Sequence, residues 1–292
     1  MTAATYALVL LSAAAHAYWN FLLKRTGGTP GVVGLSKIAE AVLMAPLLVS
    51  GVLFPVDAIL EQWILPAGGA ALVLANYLLL TAAYRHGDLS LVYPLSRGAI
   101  LLFLPPLAYL LTGEQLGSRA AFAIALIVIG IGGLQLPGLA GADLRSFWHS
   151  FRTPATTLAV LAAFVAACYT LWDKTAIRVI PPLAYFAAYT ILAGLAYAVL
   201  LSRSIGLEQL RAAWREHRGA VLQVALLNSV SYLLALIALQ TGKASYVIAL
   251  RQSSIAAGAL LGWALLGESI PAPRAAGIGL VVAGCILLAG AR

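Results

Sequence analysis

The sequence predicts an all-α integral membrane protein whose ten transmembrane helices form two inverted five-helix repeats around a central cavity. Three observations support this fold class. Hydrophobic residues make up 62% of the chain and charged residues only 10%, with a mean hydropathy of +0.95, whereas a soluble domain carries roughly 25% charged residues. Ten separate apolar stretches are long enough to cross a bilayer, and a Gly-Glu pair recurs at the corresponding place in each half.

A helix that crosses a bilayer needs about 20 mostly apolar residues, because its backbone polar groups must bond within the segment. The stretches that meet this requirement are residues 3–23, 30–53, 63–85, 89–112, 117–136, 154–177, 181–202, 219–241, 244–266 and 271–290. No Lys or Arg precedes the first stretch, which favours a membrane helix over a cleaved signal peptide. Residues 203–218 have the spacing of an amphipathic surface helix, so we expect a connector that touches lipid.

The two halves of the chain correspond in order and at a nearly constant offset. Gly113-Glu114 in the first half corresponds to Gly267-Glu268 in the second. Each glutamate stands 17 residues after an arginine, Arg97 or Arg251. We expect the two glutamates to cap or pin the turn after their helices. A repeat with an odd number of spans must sit in the membrane in opposite senses, as in alternating-access transporters. The predicted units are a first repeat at residues 1–140, a connector at 141–153 and a second repeat at 154–292.

The distribution of charged residues does not determine which way the protein is oriented in the membrane. Ten Lys and Arg residues fall on the face opposite the termini and five on the terminal face, so the positive-inside rule places the termini outside. The excess of Lys and Arg on one face comes mainly from the 203–218 connector. Equivalent loops of the two inverted halves lie on opposite faces, so their charges contribute little to the difference.

Polar residues inside spans are costly and are therefore candidates for a site within the bundle. In the first helix His16, Trp19 and Asn20 share one face, because they stand three and four residues apart. In the sixth helix Tyr169 and Trp172 hold the corresponding positions. A satisfied hydrogen bond between helices is the alternative for His16 and Asn20.

Further candidates come from the third, fourth, eighth and ninth helices: Asn76, Tyr77, Tyr93, Arg97, Tyr232 and Arg251. The two arginines could extend to the headgroups, pair with Glu40, or hold a substrate carboxylate. Two neighbouring pairs of opposite charge, Lys37 with Glu40 and Asp173 with Lys174, are expected to be local ion pairs.

Several classes of function are disfavoured. The sequence has no His-Glu-x-x-His, no Gly-x-Ser-x-Gly and no embedded aspartate pair, so no catalytic residue, enzyme activity or cofactor is predicted. Cys168 and Cys285 lie inside predicted helices and indicate neither a disulfide nor a metal site. The net charge of +8 lies mostly in loops at headgroup level, which points to membrane lipids as partners and not to nucleic acid.

The first helix, with Ala-Ala-Ala-His-Ala-Tyr-Trp-Asn-Phe-Leu-Leu-Lys, and the Gly-Glu pairs that end helices four and nine resemble the EamA-type branch of the drug/metabolite transporter superfamily. Ser90-Leu91-Val92-Tyr93-Pro94-Leu95 adds to the resemblance, which spans nearly the whole chain. It implies a basket-like bundle with termini inside, opposite to the charge count, and export of amino acids or similar metabolites across the bacterial inner membrane. The related four-helix antiporters couple protons through a glutamate in helix one, which this chain lacks.

The leading hypothesis is therefore a secondary transporter that holds a small zwitterionic metabolite, foremost an amino acid, between its halves. Transport of another solute class, such as phosphorylated or nucleotide-linked sugars or drugs, is one alternative. A membrane sensor that does not transport is another. Coupling to protons or simple facilitation stays open, as does the oligomeric state, with a monomer among the options.

Overall fold

The computed structural model describes residues 1–27, 29–51, 56–86, 89–134 and 153–290. All regular secondary structure within these ranges is α-helical. The helices, in chain order, are α1 Ala3–Arg25, α2 Pro30–Val49, α3 Val56–Glu61, α4 Ile64–His86, α5 Leu89–Thr112, α6 Ser118–Gly133, α7 Pro154–Ala176, α8 Pro182–Ser204, α9 Leu207–Thr241, α10 Ala244–Arg251, α11 Ser253–Leu266 and α12 Ala272–Ala289. Within these ranges nine segments are long and apolar enough to cross a membrane, and α6 is a shorter apolar helix. The predicted class, an all-helical protein with many membrane spans, is confirmed.

Threonine caps start three of the spanning helices. The hydroxyls of Thr2, Thr29 and Thr153 accept hydrogen bonds from backbone N–H groups in the first turns of α1, α2 and α7. Proline follows the threonine in α2 and α7, where its fixed φ suits a first helical turn and its missing N–H is not needed. The predicted span boundaries agree with the described helices to within a few residues at these starts.

Residues 207–218 are helical, as their amphipathic spacing predicted, but they do not form a separate surface helix. From Leu207 this segment runs without interruption into the eighth span, as one helix of 35 residues. Such a helix is about 50 Å long, whereas the hydrocarbon core of a bilayer is about 30 Å thick. The charged first turns of α9 therefore project beyond the membrane, and no proline interrupts them.

The ninth span runs from Ala244 to Leu266, as predicted, with one tighter turn at Gln252. Gln252 donates its N–H to the carbonyl of Ala249, and Ile255 donates its N–H to the carbonyl of Gln252, so both bonds span three residues instead of four. This tighter turn separates α10 from α11 directly after Arg251.

The packing of the helices is symmetric when the first half, α1 to α6, is exchanged with the second half, α7 to α12. Helix α1 packs on α9 as α7 packs on α4, whereas α2 pairs with its counterpart α8 and α6 with its counterpart α12. Helix α7 also packs on α5, as α1 does on α10 and α11. This is the pattern that two related five-span units produce. The predicted boundaries at 140 and 153 stay a prediction, because residues 135–152 lie outside the described ranges.

Both Gly-Glu pairs close their helices in the same way. Gly113 and Gly267 have φ of +69° and +67°, a left-handed conformation that glycine adopts without strain. The following N–H groups, of Glu114 and Glu268, bond to carbonyls six residues earlier at 3.2 and 3.3 Å. Each bond satisfies a carbonyl that would otherwise be left over at the helix end. The backbone of each pair thus ends its helix, and the carboxylates are free for other partners.

Candidate functional site

A small cavity lies between the two halves and is bordered by four of the predicted site residues. His16 of α1 and Arg97 of α5 come from the first half, and Tyr169 of α7 and Arg251 of α10 from the second. The cavity measures about 10 Å³, close to the volume that a single water molecule occupies. The structure thus brings together residues that are far apart in the sequence.

Arg251 is the cation at the centre of this site. Arg251 is only 8% exposed, so its guanidinium group does not extend to the lipid headgroups. Nε donates to the Ser12 hydroxyl at 3.1 Å, and Nη2 donates to the Ser231 hydroxyl at 3.2 Å. Nη2 also lies 3.4 Å from Nδ1 of His16, and the guanidinium carbon lies 5.4 Å from the ring centre of Tyr232. None of these described partners is a carboxylate.

Ser12 and Ser231 hold α1 and α9 together under the guanidinium. Ser12 donates to the carbonyl of Ser231 at 2.6 Å, and Ser231 donates to the carbonyl of Ser12 at 2.8 Å. Both serines are buried. The reciprocal bonds place the two hydroxyl oxygens where Arg251 can use both as acceptors, so the cation has a defined position between the halves.

The aromatic face of α1 continues the site. His16 is buried, and its ring packs edge-on against Trp19 at a centroid distance of 4.9 Å. The indole Nε1 of Trp19 is buried and has no hydrogen-bond partner among the described residues. Asn20 instead donates its side-chain amide to the carbonyl of His16 at 2.7 Å, within the same helix.

A second polar group lies on the other side of Tyr232. Asp173 is fully buried, and its two carboxylate oxygens accept hydrogen bonds from the hydroxyls of Tyr185 at 2.6 Å and Tyr232 at 2.5 Å. The predicted local ion pair with Lys174 was wrong. Lys174 donates to Glu114 at 3.3 Å and to the carbonyl of Gly242 at 2.7 Å, because successive helical residues point in different directions.

Three other predicted site residues contact protein groups at helix interfaces. Asn76 donates to the carbonyl of Ala162 at 2.7 Å, and Trp172 donates to the carbonyl of Leu65 at 2.8 Å. Tyr77 packs edge-on against Tyr197. Asn76 and Trp172 thus tie α4 to α7, and these contacts shape the walls of the bundle.

The remaining charged pair behaves as the sequence suggested. Lys37 contacts both carboxylate oxygens of Glu40 at 3.2 Å, and its ammonium group lies 5.0 Å from the ring centre of Tyr77. Asn228 of α9 donates to the same carboxylate at 2.6 Å. Glu40 is therefore committed to Lys37 and Asn228 instead of an arginine. The side chain of Tyr93 lies outside the described part of the chain.

The sequence indicated the charged residues Arg251 and Asp173 but not all of their partners. Ser12 stands four residues before His16 and so lies on the same helix face, which is a signal that could have included it. Tyr185 gave no such signal, since it lies in an apolar aromatic stretch at the start of α8.

A larger cleft opens at the membrane face that carries the termini. Its volume is about 500 Å³, and its lining includes Glu114 together with Lys174, Arg178 and Lys243. Three cations face one carboxylate here, so the mouth of the cleft favours the approach of anionic groups.

Residues 153–290 match the EamA-like transporter family. The second half of the chain is thus similar to EamA-like transporters, and the described apolar helices make the protein a multi-pass membrane protein. The matched residues include Tyr169, Asp173, Tyr232 and Arg251.

The fold is also found in solved structures. One crystal structure aligns with 98% of this chain and 96% of its own, at a TM-score of 0.75 and 13% sequence identity. At that identity the likeness concerns the fold alone. Comparison with curated proteins gives no significant sequence match. The arrangement of the two halves thus also occurs in a protein of very different sequence.

Proposed function

We propose that this chain is a secondary transporter that exports small zwitterionic metabolites, foremost amino acids, across the bacterial inner membrane by alternating access. The observation that carries the proposal is the buried Arg251, which lies between the halves and has hydroxyl, imidazole and aromatic partners but no described carboxylate. A buried cation without an acidic partner is expensive. A substrate carboxylate would supply the missing charge.

The site offers distinct groups for such a substrate. The planar guanidinium of Arg251 can hold a carboxylate with two parallel hydrogen bonds. The indole N–H of Trp19 is a further buried donor beside His16. Tyr169 and Tyr232 provide aromatic surface for an apolar side chain. The overall size of the chain and its aromatic-rich central positions also resemble the amino-acid exporter YddG, which supports the same substrate class.

The size of the central cavity fits one stage of a transport cycle. A volume of about 10 Å³ is too small for an amino acid, so the halves must separate before a substrate can enter. The residues that border the cavity belong to both halves, and a relative rotation of the halves would widen it toward one face at a time.

Phosphorylated or nucleotide-linked sugars fit this interior less well. Such cargo needs several cations in the cavity, and Lys37 is already neutralised by Glu40 at 3.2 Å. Arg97 and Arg251 would have to hold two or more negative charges alone. A single carboxylate matches the available charge better.

Counterflow of radiolabelled amino acids in proteoliposomes tests the proposal. We expect exchange of at least one amino acid, and Arg251→Ala should lower exchange at subsaturating substrate by roughly 10- to 100-fold, since a hydrogen bond to a charged group contributes about 1.5–3 kcal/mol. Arg215→Ala is the matched control, because Arg215 is exposed on the projecting part of α9 and should exchange like the parent.

Absence of exchange with all twenty amino acids would refute the amino-acid proposal. If Arg251→Ala still exchanges amino acids like the parent, the transport proposal stands but the role assigned to the guanidinium group is wrong. Arg251→Lys separates charge from shape, because lysine keeps the positive charge but cannot form the paired hydrogen bonds.

A further inference from the structure

Asp173 is the buried acidic group that the proposed substrate site leaves without a role. It has no exposed surface, and its described hydrogen-bond partners are the hydroxyls of Tyr185 and Tyr232. Hydroxyl donors stabilise a carboxylate but do not neutralise its charge. Ionisable groups of this kind inside membrane proteins mark ion pathways and proton relays.

The charged and titratable groups around Asp173 come from three helices. Helix α8 contributes Tyr185 and Tyr189, whose rings contact each other at 5.3 Å, and α9 contributes Tyr232. On its own helix, the ammonium group of Lys174 is bonded to Glu114 and Gly242. No cation is among the described partners of the carboxylate, so the charge at Asp173 is uncompensated within the described structure.

The space around Asp173 limits what can bind there. On the α4 side, a Cβ atom added to Gly69 would lie 2.2 Å from the Tyr185 hydroxyl and 3.6 Å from Oδ1 of Asp173. The site therefore has no room for a methyl group on this side, and both carboxylate oxygens already hold a hydroxyl. A substrate ammonium group or a metal ion would have to displace a tyrosine, whereas a proton needs no space.

We propose that Asp173 is a proton-binding site that couples transport to a proton gradient. In this step the carboxylate takes one proton from water on one side of the membrane and becomes a neutral carboxyl group, and it releases the same proton on the other side. The tyrosine hydroxyl protons stay on the tyrosines. The inference rests on the proposed transport function, since it names the coupling ion of the same carrier.

Tyr232 connects the proton site to the substrate site. Its hydroxyl donates to Asp173 at 2.5 Å, while its ring lies 5.4 Å from the guanidinium carbon of Arg251. A neutral carboxyl group accepts hydrogen bonds less strongly than a carboxylate does, so proton binding weakens the bond from the Tyr232 hydroxyl. Protonation of Asp173 thus changes the contacts of the ring that borders Arg251.

Two measurements on the full-length protein test the proposal. Infrared difference spectra between mildly acidic and mildly alkaline buffer should show the C=O stretch of a buried protonated carboxyl group, and this band should be lost in Asp173→Asn. The control Asp57→Asn alters an exposed aspartate in α3 and should keep the band. This measurement needs no substrate and is independent of the proposed function.

The second measurement uses proteoliposomes and the amino acid with the strongest counterflow. We expect the parent and Asp57→Asn to accumulate it against its gradient when a pH gradient is imposed, with proton movement reported by an internal pH dye. Asp173→Asn should retain counterflow but lose accumulation. Counterflow without proton movement in the parent, or gradient-driven accumulation in Asp173→Asn, would overturn the assignment.

If Asp173→Asn does not fold, the dye signal of the parent protein still tests whether transport is coupled to protons. Absence of counterflow in the parent refutes the amino-acid function, whereas counterflow without proton movement refutes only the coupling site.

Discussion

Glu114 of the first half and Lys174 of the second half form an ion pair at 3.3 Å, and the equivalent residues Glu268 and Lys24 form an ion pair at the opposite membrane face. Each pair joins the two halves. The side chains of Glu114 and Lys174 are only 5% and 12% exposed, whereas those of Glu268 and Lys24 are 32% and 53% exposed. The two equivalent ion pairs therefore differ in how far they are exposed.

Glu114 also caps a helix of the other half. Its carboxylate oxygens accept the N–H groups of Ala244 and Ser245 at 2.9 and 3.0 Å, at the start of α10. A carboxylate at a helix N-terminus satisfies unpaired donors and interacts favourably with the helix dipole. The contact therefore links the end of α5 to the helix that carries Arg251.

Glu114→Gln should lower stability much more than Glu268→Gln. The first change leaves Lys174 buried without its ion pair and weakens the cap, for which we expect a loss of roughly 3–5 kcal/mol. The second removes an exposed pair, for which the expected loss is below about 1 kcal/mol. Thermal unfolding in detergent measures both. Equal effects at the two sites would contradict the difference in burial.

Gly130 and Gly277 allow close contact between α6 and α12. A Cβ atom at Gly130 would lie 2.7 Å from the carbonyl oxygen of Gly277, and a Cβ at Gly277 would lie 2.6 Å from that of Gly130. Because backbone atoms cannot move aside as a flexible side chain can, alanine at either position should push the helices apart. Small residues give membrane helices this approach.

The expected loss for Gly130→Ala is roughly 1–3 kcal/mol, as for overpacking in a dense core. Gly132→Ala in the same helix is the control, since a Cβ there meets nothing within 4 Å, and alanine is the better helix former. Thermal unfolding should rank Gly130→Ala below the parent and Gly132→Ala at or above it. The reverse order would argue against close packing of these two helices.

The membrane spans, the repeat and two equivalent arginines could be predicted from the sequence, because these depend on local hydropathy and on internal similarity. The partners of Asp173 could not. Tyr185 and Tyr232 lie 12 and 59 residues away, and the adjacent Lys174 suggested a local pair that helix geometry does not allow. Long-range contacts of this kind depend on how helices rotate about their axes, which hydropathy does not determine.

The same limit applies to inward-facing polar residues. Asn76 and Trp172 were predicted to contact a substrate, and in the structure both donate to carbonyls of neighbouring helices. A polar side chain that holds two helices together has the same spacing as one that holds a ligand. Only the position of the neighbouring backbone separates these roles.

The buried pair of Lys37 and Glu40 gives a third test. Glu40→Gln leaves the ammonium group of Lys37 without a counter-charge, and Lys37→Met leaves the carboxylate with Asn228 alone, so each single change should destabilise by roughly 3–5 kcal/mol. The double variant removes both charges and should lose clearly less than the sum of the two. A double-mutant cycle by denaturant unfolding measures the coupling. Additive losses would mean that the two residues act independently.

Tyr232→Phe separates the two contacts of this side chain. It removes the hydroxyl that donates to Asp173 at 2.5 Å but keeps the ring beside Arg251. We expect a loss of roughly 1–3 kcal/mol in unfolding free energy, since one buried carboxylate oxygen loses its donor. Amino-acid counterflow should persist, while the pH at which the infrared band of Asp173 appears should shift. Tyr109→Phe, at a tyrosine that is 57% exposed, should change neither. An unshifted band would show that the hydroxyl does not influence the charge of Asp173.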